Sequence, residues 1–158
     1  MQEKGLEILI EGARFWFSKL KKDLKGVYHL PDTVGPDELD KHGKDNGYVS
    51  LMARHHLRLA ANWVRVTQLE SPDQAKLLLA RLKYRKQESE LWLEASDQLA
   101  VPKVPGTDIP LQDEFLLAKK PMKFDGLGAE EAYAKRHTHR VVKQADVILA
   151  MFLLQEDF

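Results

Sequence analysis

The residues best placed to do chemistry are the consecutive carboxylates Asp37 and Glu38. They close the run Val34-Gly35-Pro36-Asp37-Glu38, which lies between two strongly apolar stretches. Gly35 and Pro36 punctuate the backbone as a turn does, and Pro36 fixes its own φ while restricting the residue before it. The two acids therefore stand on a stiff connection. A carboxylic acid held in this way can donate a proton to a leaving group if its surroundings raise its pKa. The same residues can equally serve a helix start, where acids offset the macrodipole and satisfy free N–H groups. A second polar pair, Lys143-Gln144, interrupts an apolar run between Val141-Val142 and Val147-Ile148. Periodicity places this pair on a helix, where neighbours diverge by about 100°. Polar groups in such a setting are costly to bury without partners. Either the pair reaches a polar cleft or Lys143 extends its ammonium to solvent.

Other chemistry-bearing residues offer less. Adjacent His55 and His56 point apart on a helix, whereas helical metal ligands want i, i+4 spacing, so the six histidines form no metal set. His137 and His139, with Arg136 and Arg140, make a basic cluster that reads as a solvated surface or as a contact for an anion. Trp63 and Trp92 fall at helical spacing and read as core. Without a Gly-rich phosphate loop, a Ser-His-Asp arrangement or a nucleotide fingerprint, no cofactor is expected.

The elements that must position these residues follow from periodicity and punctuation. A helix is expected over residues 2–24, apolar on most sides, and such a helix belongs inside a larger protein. Its Lys-rich end suits a C-terminus, with Gly26 as the stop and Val27 to Leu30 extended. A second helix is expected from near Tyr48 to about Leu69, with Leu51, Met52, Leu57, Ala60, Ala61 and Val64 as its buried stripe. Ser71-Pro72-Asp73 marks a helix start, and the helical pattern continues to about Leu99 with a break near Tyr84. Residues 100–128 carry four prolines and three glycines and read as a long loop with one turn of helix, a type that is often functional. A last helix is expected to begin between Glu130 and Thr138 and to end near Leu154. Pattern alone thus gives a bundle of helices.

Composition bounds the partners. At 158 residues the chain can bury a real core. Lys plus Arg equals Asp plus Glu at 24 each, so no overall field favours nucleic acid or an acidic membrane surface. The absence of cysteine excludes a disulfide scaffold and thiolate metal sites. No apolar run approaches the roughly 20 residues of a membrane span, and no secretory signal opens the chain. A soluble, cytoplasmic protein is expected, with no nucleic acid and no membrane among its partners.

Three blocks add a resemblance. They are Glu11-Gly12-Ala13-Arg14-Phe15-Trp16, then Gly35-Pro36-Asp37-Glu38 followed by Asp45-Asn46-Gly47-Tyr48-Val49-Ser50, and Val142-Lys143-Gln144-Ala145-Asp146-Val147. In this order and spacing, with Leu111-Gln112 through Phe115 between the second and third, the chain resembles glycoside hydrolase family 65. That family comprises the maltose, trehalose and kojibiose phosphorylases and their hydrolase relatives. The resemblance implies an all-α fold, a partial (α/α)6 barrel with about five helices of a six-hairpin toroid and long loops. Residues 1–158 would be a fragment of a single catalytic domain, with no separate second domain.

The resemblance also implies roles. Glu38 would be the general acid of an inverting cleavage of an α-linked glucose disaccharide, and Lys143 with Gln144 would hold the glucose unit being transferred. Inorganic phosphate would be the co-substrate of a phosphorylase, with no metal and no cofactor. A hydrolase would instead need a second carboxylate roughly 6.5–9.5 Å away to activate water, and by resemblance that base lies outside this chain. Asp37 would either raise the pKa of Glu38 by like-charge repulsion or act as a cap, and Asp146 is read as structural. Leu39, Asp40, Asp45, Val49 and Ser50 depart from the family's pattern, which bears on the acceptor-sugar side. As an isolated fragment the chain is expected to be inactive and to self-associate through exposed helix faces. A different class of function, a catalytically inactive helical interaction module derived from such an enzyme, is the alternative.

Overall fold

The computed structural model describes residues 2–38 and 43–155. Its regular elements are α1 (Gln2–Lys19), β1 (Lys21–Lys22), β2 (Tyr28–His29), α2 (Gly47–Glu70), α3 (Pro72–Arg81), α4 (Lys86–Asp97), α5 (Ala129–Ala134) and α6 (Asp146–Leu153). One 3₁₀ turn, Leu116–Ala118, interrupts the long loop. The all-α expectation holds, with a two-stranded ribbon as the one sheet among the described residues. The chain packs as two compact units, Met1–Tyr28 with Met52–Leu99, and His29–Leu51 with Ala100–Phe158.

In the first unit the core follows the helical period. Leu6, Ile10 and Ala13 of α1 are buried, as are Ala53, Leu57, Ala60, Ala61 and Val64 of α2, and Trp92 and Ala95 of α4. Gly12 lets α1 and α2 approach closely: a Cβ there would stand 2.4 Å from His56 Nε2, and that ring nitrogen meets the Leu9 carbonyl at 3.1 Å. Arg14 joins α1 to the start of α4. Its Nε and Nη2 donate to the two oxygens of Glu88 at 2.9 and 3.0 Å, and Nη2 also donates to the Leu82 carbonyl. Glu88 in turn accepts the Arg85 N–H and so caps α4.

Three expectations need correction here. The first helix ends at Lys19, not near residue 24. Asp23 Oδ1 accepts the N–H groups of Lys25 and Val27, and Gly26 adopts φ +87°, so the Lys-rich segment turns into the ribbon. Trp63 is not core: it is 43% exposed, while Trp92 is 1% exposed. Met52 is only half-buried and Ala53 takes its place in the stripe. The break near Tyr84 is present, with Lys83 at φ +50° between α3 and α4.

In the second unit, the single last helix expected to begin between Glu130 and Thr138 and to end near Leu154 is replaced by two short ones, α5 and α6. Residues 135–145 leave the helix because the main chain is needed elsewhere. Lys120 N–H donates to the Thr138 carbonyl and Arg140 N–H to the Lys120 carbonyl. The Arg140 guanidinium then donates to the carbonyls of Leu116, Leu117 and Lys119. This closes the 3₁₀ turn and gives one of the basic cluster's two arginines, Arg140, a structural part as a strut.

Candidate active site

The site in the second unit is built on buried main chain. Asn46 caps α2, its Oδ1 accepting the Val49 N–H at 3.1 Å. Gly47, the first residue of α2, donates its N–H to the Gln112 carbonyl at 2.7 Å. A Cβ on Gly47 would fall 2.0 Å from the Leu111 oxygen, so only glycine allows the two strands of chain to approach. Just upstream, Asp45 stands at φ +55°, a conformation that Asp tolerates better than most residues. Its Oδ1 accepts the Leu30 N–H at 2.7 Å, and its Oδ2 lies 2.6 Å from His29 Nδ1. Asp45 is one of the positions that depart from the family's pattern, and both of its carboxylate oxygens are engaged in these contacts. Leu39 and Asp40, the other departures beside the acid, lie outside the described residues.

Asp37 is enclosed at this site. It is 1% exposed, and its Oδ2 accepts the Lys143 N–H at 3.0 Å and the Gln112 Nε2–H at 3.2 Å. Its own N–H donates to Asp146 Oδ1 at 2.7 Å. Asp146 is also 1% exposed and opens α6. Burial pushes its carboxyl above the ordinary carboxylate value; the Asp37 N–H and the Asn46 carboxamide oppose the rise, and the charge of Asp37 adds to it. Gly35 makes room for this packing, since a Cβ there would lie 2.1 Å from Asp146 Oδ2 and 2.7 Å from Asn46 Nδ2.

Above this buried layer Glu38 and Lys143 meet in solvent. Lys143 Nζ donates to Glu38 Oε1 at 2.9 Å, with side chains 51% and 68% exposed respectively. Hydrogen bonding to Glu38, then its charge, raises the Lys143 pKa above the ordinary lysine value. Gln144 lies beside them but not on a helix. Contrary to expectation, Lys143 and Gln144 form a bend immediately before α6, because the Lys143 N–H is taken by Asp37 rather than by a helical carbonyl. Gln144 Oε1 is buried without a hydrogen-bond partner. It borders a shallow cavity of about 440 Å³ with Pro36, Asp146, Ile148, Leu149 and Phe152.

Residues 37, 38, 143 and 144, distant in sequence, are thus brought to one place. The sequence offered Gly35 only as turn punctuation, placed Gln112 only in a stretch that adds to the resemblance, and left Asp146 as structural. A further signal was the pairing of two polar residues, Gln112 and Asp113, in a short stretch that turns out to be buried. Among the described residues no three His, Cys, Asp or Glu side chains converge as metal ligands. Among the described residues no helix is long and apolar enough to cross a membrane.

Comparison with known proteins places the chain in a family. The chain is 32% identical over 164 residues to the alpha,alpha-trehalose phosphorylase of Geobacillus stearothermophilus, an alignment covering 99% of the chain and 21% of that protein. It is 29% identical over 167 residues to the kojibiose phosphorylase of Halothermothrix orenii, covering all of the chain and 21% of the relative. Its fold matches a solved putative kojibiose phosphorylase from the human microbiome with a TM-score of 0.79 and 20% identity, over 98% of this chain and 22% of that one. The fold class is therefore that of the (α/α)6 phosphorylases, and the chain spans about a fifth of the length of these relatives. The profile of the glycosyl hydrolase family 65 central catalytic domain matches residues 1–158, and the chain belongs to that family.

Proposed function

We propose that this chain supplies the acid side of a catalytic centre that cleaves an α-linked glucose disaccharide with inversion, inorganic phosphate being the attacking group. The observation that carries the reading is the meeting of Glu38 and Lys143 at 2.9 Å across 105 residues of sequence, on a surface open to solvent, in a family 65 domain. Glu38 protonates the glycosidic oxygen as the bond to the departing sugar breaks. Inversion requires the nucleophile on the opposite face of the ring. Phosphate arrives there already anionic, so no second carboxylate is needed to activate it; water in its place would require one.

Before substrate arrives, Lys143 and Glu38 satisfy each other. In that pair Glu38 is the carboxylate; when a glucosyl hydroxyl engages the ammonium, the freed carboxylate takes up a proton from solvent, passes it to the leaving oxygen and returns to the ionised form. Gln144 Oε1, a buried acceptor with no donor of its own, has capacity for a second hydroxyl hydrogen. No metal or redox group enters these steps. The phosphorylase relatives support phosphate as co-substrate, and the domain is read as one part of a single barrel.

The test measures glucose 1-phosphate release from trehalose, kojibiose and maltose. It uses the chain alone and joined to whatever coding sequence continues it in frame. Turnover that disappears in Glu38→Gln, while the fold and the melting temperature are kept, is expected. Full activity in Glu38→Gln would refute the assignment. No turnover of any α-glucoside in either form would instead favour an inactive helical module.

A further inference from the structure

Two carboxylates beneath the acid site make no contact that the cleavage reaction requires, yet each is 1% exposed and each holds main chain that belongs to the other's neighbourhood. Asp146 Oδ1 takes the N–H of Asp37, the residue next to Glu38, at 2.7 Å. Asp37 Oδ2 takes the N–H of Lys143 at 3.0 Å and is steadied by Gln112 Nε2 at 3.2 Å. We propose that Asp37 and Asp146 form a crossed main-chain clamp that sets the separation of Glu38 from Lys143. Both are therefore positioning residues of the acid site. Calling it an acid site rests on the glucoside-cleaving reading above; the clamp itself does not.

The exposed pair cannot do this work. An ion pair between two long, solvated side chains gains little after screening and side-chain entropy, so it follows the backbone instead of fixing it. Hydrogen bonds from amides to ionised carboxylates are the shorter and stronger kind. Two of them in opposite directions resist sliding in both senses, as a single bond would not. Gly35 belongs to the same device, because any side chain there would strike Asp146 Oδ2. Burial raises the Asp146 carboxyl, and the bond it accepts from the Asp37 N–H works against that rise, so the clamp favours the ionised form that burial opposes. Charges near it are Glu38 and Lys143 above, with Tyr133 also acting on the lysine.

The experiment is NMR on the whole chain, following the amide protons of Asp37 and Lys143, the side-chain carboxyl carbons of Asp37 and Asp146, and the Lys143 Cε. In the unaltered chain the Asp37 amide should titrate with the midpoint of the Asp146 carboxyl, and the Lys143 amide with that of Asp37. In Asp146→Asn the Asp37 amide should lose its titration and exchange faster. The Lys143 side chain should then titrate lower, back towards an ordinary lysine, as it should more directly in Glu38→Gln. Asp37→Asn should release the Lys143 amide, but it also removes a charge that acts on the lysine directly, so the lysine titration of Asp146→Asn is the deciding one. A role confined to stability would leave the Lys143 side-chain titration where it is. The clamp is overturned if folded Asp146→Asn keeps that titration unchanged, or if the two midpoints differ in the unaltered chain, a measurement that needs no variant to fold. Loss of the sugar reading, by contrast, would appear as activity indifferent to Glu38 with every one of these shifts intact.

Discussion

Replacing Gly35 by alanine tests the close packing under the acid loop most directly. The new Cβ would lie 2.1 Å from Asp146 Oδ2 and 2.7–2.8 Å from the Asn46 carboxamide, well inside van der Waals contact. Neither neighbour is the free end of a mobile chain: Asp146 and Asn46 are both buried. Something must give. If the carboxylate turns away, the bond it accepts from the Asp37 N–H is lost, about 1.5–3 kcal/mol for a charged hydrogen bond. If Asn46 turns away, its cap on α2 is lost, about 1 kcal/mol. Losing both costs about 2.5–4 kcal/mol, which for a chain of this size lowers Tm by about 5–15 °C. Thermal unfolding followed by circular dichroism reads this, with Gly5→Ala as the companion. Gly5 lies within α1 and a Cβ there meets nothing within 4 Å, so that change should raise stability by about 0.8–1 kcal/mol. The reasoning fails if Gly35→Ala melts with the parent, or if the two alanine variants move together.

Further expectations follow from the ionic contacts. Arg14→Ala should cost about 2–3 kcal/mol, and a double-mutant cycle with Glu88→Ala should give a clear coupling energy; strict additivity would deny the pair any role. Although burial raises the Glu88 carboxyl, Arg14 and the Arg85 N–H bring it below the usual value. The stability it contributes is therefore present above the unfolded Glu pKa of about 4.3 and is lost as pH falls through the lowered folded value. The Arg14→Ala penalty should shrink in acid accordingly, as urea titrations at a series of pH values would show. Asp146 has the opposite sign: its raised pKa means that ionisation opposes folding. The penalty appears as pH rises above the unfolded Asp pKa of about 3.9 and is complete above the raised folded value. Asp146→Asn should gain stability relative to the parent at neutral pH and lose that gain in acid; a gain independent of pH would contradict the assignment.

Much of the fold was legible where local rules and packing agree. The apolar period of α2 and the Ser71-Pro72 start gave their helices to within a residue or two, although Ser71 makes no capping side-chain bond. The acid loop was legible as a rigid polar connection, and its partner pair as polar residues in an apolar run. What failed did so because distant chain intervened. Val141-Val142 and Val147-Ile148 have helical spacing, yet Lys120 pairs with residues 138–140 and Asp37 takes the Lys143 N–H; no periodicity encodes such claims on the main chain. Asp23 ended α1 early by gripping two amides that no window of hydrophobicity registers. Of the site residues named from sequence, Glu38 and Lys143 face outward. The buried ones beneath them, Asp146 and Gln112, looked unremarkable because an isolated acid or amide gives no hint that it will be enclosed.

The bonds that assemble the site join residues 75 to 109 positions apart. Such separations place it among the last parts of the molecule to form, since the entropy of closing so long a loop comes before any reward. During synthesis the acid loop leaves the ribosome long before its anchoring aspartate does, and it must wait, unmoored, for the beginning of α6. A cut anywhere in the stretch from 100 to 128 would leave every helix intact and still sever the covalent route between the proton donor and the lysine that faces it.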